Sequence, residues 1–376
     1  MNRKSQLLLT AILSFVFSGA LAQTDSVYNF SLQECLNYAL QHQTAVLNAE
    51  IDTKIADARV KETIGIGLPQ VNGSANFQDF LKVPTTLIPG DFVGQPGTFV
   101  PVKFGVKYQS STSLEVNQLI FSGSYLVGLQ ASKTYKELSQ RAYTRSKIET
   151  NVAVTKAYYM VLVNGEQMSL LNANIEQLKE QVQQTTAMNE NGFAEKIDVD
   201  RLSVLYNNLL TERENVKRSL ALGIQLLKFQ MGMPVEFALA IEGRIEDINL
   251  SPNVIAADST VYRDRIEYAL LETQVKLNEL DLKRYKSNYL PSLSAFGNGA
   301  YQFQNDNFED LYDQSFPTVV IGLQLNIPIF SGFQKSNQVA QARLTVQKSR
   351  NELFNAKNSI NLDAQNSATT YANNLS

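Results

Sequence analysis

The side chains that most often carry chemistry are few in this chain of 376 residues, and they are poorly spaced for catalysis. His42 and Cys35 are the single histidine and the single cysteine. Zinc centres draw three or four ligands from such residues, so this pair falls short of a metal site, and one cysteine excludes an intrachain disulfide. Glu212 and Glu214 flank Arg213 on a helical pattern, where charge runs are solvated faces. Asp306, Glu309, Asp310 and Asp313 cluster in one loop. Such carboxylates could attract cations, but an acidic, soluble surface loop is the commoner explanation. Gly65-Ile66-Gly67 stands at a helix end and reads as a turn, not as a phosphate cradle. A nucleophile elbow, a P-loop and a His-Glu-x-x-His motif are all missing. The chain is therefore expected not to be an enzyme and to bind no cofactor or metal.

With no catalytic constellation, the function must lie in the architecture. Residues 1–22 have the layout of a secretory signal: Arg3 and Lys4, a short apolar core from Leu7 to Phe17, then Ala20-Leu21-Ala22 before Gln23. That core is much shorter than the roughly 20 residues of a membrane-spanning helix, and no comparable apolar run follows. Net charge is -3 without a basic block, so nucleic-acid binding has no electrostatic support. Tyrosine and phenylalanine are plentiful (16 and 19) while tryptophan is absent.

The chain repeats itself. Leu68-Pro69 returns as Leu290-Pro291, and Phe121-Ser122-Gly123 returns as Phe330-Ser331-Gly332. In each copy a helical pattern precedes the Leu-Pro, alternation of period two follows it, and a long helical pattern begins at the Phe-Ser-Gly. Internal repetition fixes architecture before any single motif does. The first repeat is read as 23–237, with a helix over 31–66 opened by a Ser31/Glu34 capping box, strands over 70–80 and 110–120, a long loop between them, and a helical hairpin over 123–232. A linker covers 238–262. The second repeat, 263–376, holds a helix over 263–289, strands over 291–304 and 316–328, and a helix over 332–376. In the hairpin, Leu171, Ile175, Leu178 and Val182 keep heptad spacing, and Leu202, Leu205, Leu209, Val216, Leu220 and Leu227 continue it. Sixty-odd helical residues reach about 100 Å. Asn189, Asn191 and Gly192 supply the turn at the tip.

Alternation in the strands sorts side chains by type. Val319, Ile321, Leu323 and Leu325 alternate with Gly322, Gln324 and Asn326, and Asn298 and Gln302 lie on the polar side of the preceding strand. An apolar face and a small or polar face suit a barrel wall in lipid, although a half-buried soluble sheet shows the same pattern. Four strands cannot close a barrel, and lipid does not tolerate an open edge. Several chains would have to combine, eight strands from a dimer or twelve from a trimer.

This order, the repetition, the Leu-Pro and Phe-Ser-Gly markers, and the tip resemble the TolC-like outer-membrane efflux proteins. At the tip, Asn191-Gly192-Phe193 followed by Ile197-Asp198-Val199 is similar to the family's turn, and Leu226 to Gly232 is similar to its helix end. The resemblance implies an α+β membrane protein that assembles as a homotrimer in the outer membrane of a Gram-negative bacterium. Twelve strands would form one β-barrel in outer-membrane lipid, and the helices a long coiled-coil tunnel in the periplasm. It implies a passive conduit docked to a periplasmic adaptor (membrane fusion) protein and an inner-membrane pump, for efflux or type I secretion. Gly192 and Phe193 would contact the adaptor, while Asp198 and Val199 open the return helix, where a carboxylate is also favoured by the helix dipole. Asn298, Gln302, Gln324 and Asn326 are candidate lumen residues by parity. The family's second tip and closing residues would lie beyond Ser376, so the sequence is expected to be a fragment of such a channel.

The competing reading is a periplasmic coiled-coil scaffold or adaptor without a barrel, which would share the helices but has no use for four amphipathic strands. Labelled cysteines at positions 323 and 324 are expected to report opposite environments, and equal exposure of the two would contradict the strand.

Overall fold

A computed structural model describes residues 28–247 and 261–375. The expected signal segment and part of the expected linker lie outside the described residues. The elements are β1 (Tyr28–Phe30), α1 (Leu32–His42), α2 (Thr44–Ile66), β2 (Gln70–Asp79), β3 (Thr85–Pro89), β4 (Phe99–Lys103), β5 (Tyr108–Phe121), α3 (Gly123–Glu190), α4 (Lys196–Met231), β6 (Leu239–Ile241), α5 (Ile266–Ser287), β7 (Ser292–Asn305), β8 (Ser315–Asn326) and α6 (Gln334–Leu375). They fall into two compact units that interleave the sequence repeats instead of coinciding with them. Of the described residues, one holds 28–51 and 143–247, the other 52–142 and 261–375.

In the first unit α1 begins with the reciprocal cap its sequence announces. The Ser31 N–H donates to Glu34 Oε2 at 2.8 Å, and the Glu34 N–H donates to Ser31 Oγ at 3.4 Å. The core gathers Cys35, Ala39, Val154, Ala157, Tyr158, Val161, Leu227, Met231, Met233 and Leu239. Leu227 and Met231 are fully buried, each contributing about 1.5–3 kcal/mol of apolar transfer. Burial, with the Glu34 charge nearby, pushes the Cys35 thiol up to about 12, so it stays protonated and inert. The Tyr158 hydroxyl donates to the Glu242 carbonyl. A parallel pair of β1 with β6, from Tyr28 opposite Leu239 to Phe30 opposite Ile241, closes this unit. Both short strands escape a periodicity analysis, and β6 falls within the segment read as linker.

Three further differences have physical causes. The helix expected over 31–66 is two helices, because Gln43 is extended (φ -67°, ψ 121°). Its side-chain amide donates to the Phe229 and Gln230 carbonyls, at 3.1 and 2.9 Å, at the end of α4. A tertiary contact thus breaks a helix whose local pattern is continuous. The seam of α4 passes through half-buried Tyr206 and Arg213, while Leu205 is half exposed. Spacing of four and three from Leu202 requires Tyr206, and the amphipathic stems of Tyr and Arg cover apolar surface as well as Leu does. The expected loop over 81–107 contains the β3–β4 hairpin, with Leu87 opposite Pro101. Prolines hid these strands, yet a two-stranded ribbon has only edges, where Pro is tolerated.

In the second unit helices are joined by ion pairs and helix-to-carbonyl bonds. Asp57 meets Lys136 at 2.6 Å and Lys61 at 2.9 Å, and these hydrogen bonds hold its carboxyl down at about 2. Arg141 donates to the Ala269 carbonyl at 2.7 Å, and Arg350 reaches Glu279 at 2.6 Å. The remaining element is one antiparallel sheet of four strands in the order β2-β5-β7-β8.

Both ends of the helical hairpin use a left-handed glycine, Gly192 at φ 82° and Gly232 at φ 70°. Nothing lies near a Cβ built on Gly192, whereas one on Gly232 would come within 2.6 Å of the His42 carbonyl oxygen. Gly192→Ala should therefore cost about 1–2 kcal/mol of local backbone strain. Gly232→Ala should cost more, because a backbone clash adds to the strain. Thermal unfolding followed by circular dichroism is expected to rank them in that order.

Candidate functional site

Two features of this fold present unusual surface: the four-stranded sheet and the turn between α3 and α4. In an antiparallel pair, directly opposed residues point to the same face, so the register converts sequence parity into faces. Gly73 opposes Leu114, which opposes Gly299, which opposes Val319. Val71, Phe77, Leu114, Tyr301, Val319, Ile321, Leu323 and Leu325 thus share one face, and all of them are exposed, Ile321 by 85% and Val319 by 80%. The middle of this face is lowered by Gly297 and Gly299, so the apolar surface is uneven across the sheet.

The opposite face is polar. Asn72 opposes Glu115, which opposes Asn298, which opposes Val320. The same parity brings Gln302, Gln324 and Asn326 to this face together with Asn298, and all four are exposed. Ser74 and Ser113 hydroxyls meet at 2.8 Å across β2 and β5. Asn117 donates to Glu115 at 2.7 Å, leaving the second carboxylate oxygen free of that bond. Two aromatics interrupt the polar surface: Phe316 lies opposite Gln302, and Phe296 lies over its cross-strand partner Gly322, where a Cβ would be 2.7 Å from the ring. The Phe296 ring covers backbone that glycine leaves bare.

Glu115 is the one charged residue on the polar face of these four strands. The candidate lumen set drawn from the sequence omitted it. Its signal was present, since a lone carboxylate in an alternating Ser/Asn/Gln row is visible in the strand itself. The outer connection from β7 to β8 uses its acids locally: Asp306 Oδ1 accepts from the Lys107 N–H at 3.1 Å, and Asp310 Oδ2 accepts from Asn307 at 3.2 Å. These are backbone and side-chain caps of a tight loop, and Leu311 is buried beneath it.

The tip turn is built by a six-to-one hydrogen bond pattern. The Phe193 N–H donates to the Met188 carbonyl at 2.8 Å, and the Gly192 N–H donates to the Asn189 carbonyl at 2.9 Å. This is the Schellman arrangement, which needs a left-handed residue at the position of Gly192. Asn189 adds a bond to the Ala194 carbonyl at 2.8 Å. The Phe193 ring is 79% exposed, so the turn holds an apolar side chain outward on a rigid frame. Asp198 lies in the first turn of α4, its N–H bonded to the Glu195 carbonyl and its carboxylate 3.8 Å from Arg201. Val199 is half-buried.

No family model matches the chain. It is 26% identical over 223 residues to the alkaline protease secretion protein AprF of Pseudomonas aeruginosa, which covers 57% of this chain and 45% of that protein. It is 20% identical over 385 residues to the outer membrane protein TolC of Vibrio cholerae, covering 97% of this chain and 79% of that one. The chain spans about half the length of several of the relatives it matches. Among solved structures, the transmembrane channel CusC superposes with a TM-score of 0.71 at 13% identity, over 95% of this chain and 79% of that one. In sequence the chain is similar to the outer-membrane proteins AprF and TolC, and its fold is that of outer-membrane channels such as CusC.

Proposed function

We propose that this chain is one subunit of an outer-membrane export channel, closed by three copies into a twelve-stranded barrel. The observation that carries the reading is the sheet. One face is apolar and exposed, the other is polar and exposed, and both edges, β2 and β8, have no strand partner among the described residues. In lipid each unpaired backbone group would cost several kcal/mol, and in water the apolar face would be an unsheltered patch. Closure by sibling chains removes both penalties, and an even number of antiparallel strands lets β8 of one copy run antiparallel to β2 of the next. A soluble scaffold would leave the apolar face without a role.

In this reading the apolar face meets lipid and Asn298, Gln302, Gln324 and Asn326 line a wet lumen with Glu115. Three copies of Glu115 make a ring of negative charge, which favours cations over anions as charged rings do in other pores. Transport is passive: the protein supplies a path and the energy comes from an inner-membrane pump, reached through a periplasmic adaptor. The outward Phe193 on its Gly192 turn is the adaptor contact, with Asp198 and Val199 setting the start of the return helix. The relatives' names, protease secretion and TolC, are compatible with either secretion or efflux as the task of the assembly.

Charge placement separates the two faces. Arg on a lipid-facing strand position near the bilayer midplane costs about 2–4 kcal/mol, so Ile321→Arg should lower the yield of oligomer in the outer-membrane fraction, and Asn298→Arg should not. Equal losses would overturn the face assignment.

In planar bilayers the full chain should open water-filled pores with a cation preference that Glu115→Gln reduces several-fold. A stable monomer without conductance would overturn the channel itself.

A further inference from the structure

The repetition in the sequence carries a second consequence, at the level of backbone register. Leu68-Pro69 recurs 222 positions later and Phe121-Ser122-Gly123 recurs 209 positions later. The first shift carries β2 onto β7, and the second carries β5 onto β8. Applied to the pairs of the β2–β5 hairpin, these shifts land on observed pairs of the β7–β8 hairpin. Gly73 opposite Leu114 becomes Ala295 opposite Leu323, and Asn76 opposite Ser111 becomes Asn298 opposite Val320. The two hairpins therefore have the same register, and the repeats are equivalent in three dimensions within the sheet.

The β5–β7 pairing is the junction where the first repeat meets the second. In a closed ring of copies, the junction where the second repeat meets the next first repeat is β8 against β2. Resting on the channel reading above, we infer that β8 pairs with the β2 edge of a second copy in the register of the β5–β7 junction, with Gln324 opposite Asn76 of the neighbouring copy. Glu115 opposite Asn298 in β5–β7 is the template for that pair, and Leu114 opposite Gly299 is the template for Leu323 opposite Phe77. The register keeps polar residues on the polar face and apolar residues on the apolar face.

An asymmetry between the copies supports it. In β5 the strand runs on to Phe121, which opposes Leu293 of β7. Its counterpart Phe330 lies past the end of β8, which stops at Asn326. Ile329 and Phe330 are 94% and 77% exposed, while Ile120 and Phe121 are 52% and 42%. The end of the second repeat is thus uncovered where the first is covered by a neighbouring strand. The inferred register brings Val71–Gly73 of the neighbour alongside residues 327–330 and lengthens β8. A flush register, matching the strand ends with Asn326 opposite Gln70 and Gln324 opposite Asn72, also preserves the faces but leaves that segment bare.

The two registers differ by four residues, about 13 Å along a strand, well beyond the roughly 7 Å limit between Cα atoms of a disulfide. Full chains carrying Asn76→Cys with Gln324→Cys, or Phe77→Cys with Leu323→Cys, are compared with Asn72→Cys and Gln324→Cys after mild oxidation in the membrane. Cys35 is buried and serves as the internal silent thiol. Covalent ladders up to the full oligomer are expected in the first two, of which one pair has the closer, non-hydrogen-bonded spacing, and not in the third. Crosslinking of the third, or of none in a chain that is still oligomeric by native mass measurement, overturns the register and leaves the channel reading standing. A monomer in every case overturns both.

Discussion

Unpaired backbone at two sheet edges is the constraint on which the rest depends. β2 and β8 each present a row of N–H and C=O groups without a strand partner among the described residues. Soluble proteins blunt such edges with charge, proline or a covering element. Here the strands contain Pro317 and Asp79, both near one end of their strands, and the remainder of each edge is open. The exposed apolar face rules out leaving those edges to water, and lipid cannot solvate them either. In the proposed ring, pairing of β8 of one copy with β2 of the next would meet both conditions. The helices then have to leave the sheet at one side, which the Leu-Pro and Phe-Ser-Gly markers at the strand ends accomplish in both repeats.

Much of this was legible in the chain itself, for reasons that differ by element. The faces of β7 and β8 follow from parity, because a strand has no other way to distribute Val319, Ile321, Leu323 and Leu325 against Gln324 and Asn326. The helical hairpin follows from heptad spacing and a Pro-free run. What escaped notice depends on long-range contacts. Gln43 breaks a helix because the end of α4 offers it two carbonyls. β1 and β6 are three residues each and exist only through their mutual pairing. The β3–β4 hairpin is written in Thr, Pro and aromatic residues that read equally well as loop. Leu205 was assigned to the seam on residue type, while spacing selects Tyr206. In the candidate site, Asn298, Gln302, Gln324 and Asn326 are visible as a polar row and Glu115 as the lone carboxylate in the alternation of β5, while the pairing that joins β5 to that row is not written in the local sequence.

Symmetry and its breaking divide the labour. The wall is built from two hairpins of identical register, so the backbone treats the repeats as equal. The side chains do not. The position of Glu115 in the first repeat is held by Gln324 in the second, by the same shift that carries Phe121 to Phe330. In the proposed ring the charge would fall on alternate hairpins, at half the density that full repetition would give. Spacing like charges apart in this way limits their mutual repulsion, which falls with separation.

The outer connections differ more freely than the wall, and the physics explains why. Between β2 and β5 the chain adds a second hairpin, β3–β4, with its own left-handed glycine turn at Gly94. Between β7 and β8 it uses a short acidic loop closed by Asp306, Asp310 and the aromatic pair Phe303 and Tyr312, whose rings are 5.1 Å apart. A loop beyond the last paired residue changes neither the register nor the faces, and extra loop length costs only slowly growing closure entropy. An inserted residue inside a strand would move every later side chain to the wrong face. Divergence between the repeats is therefore concentrated where it leaves the wall unaltered, and the equal registers of the two hairpins are the record of that constraint.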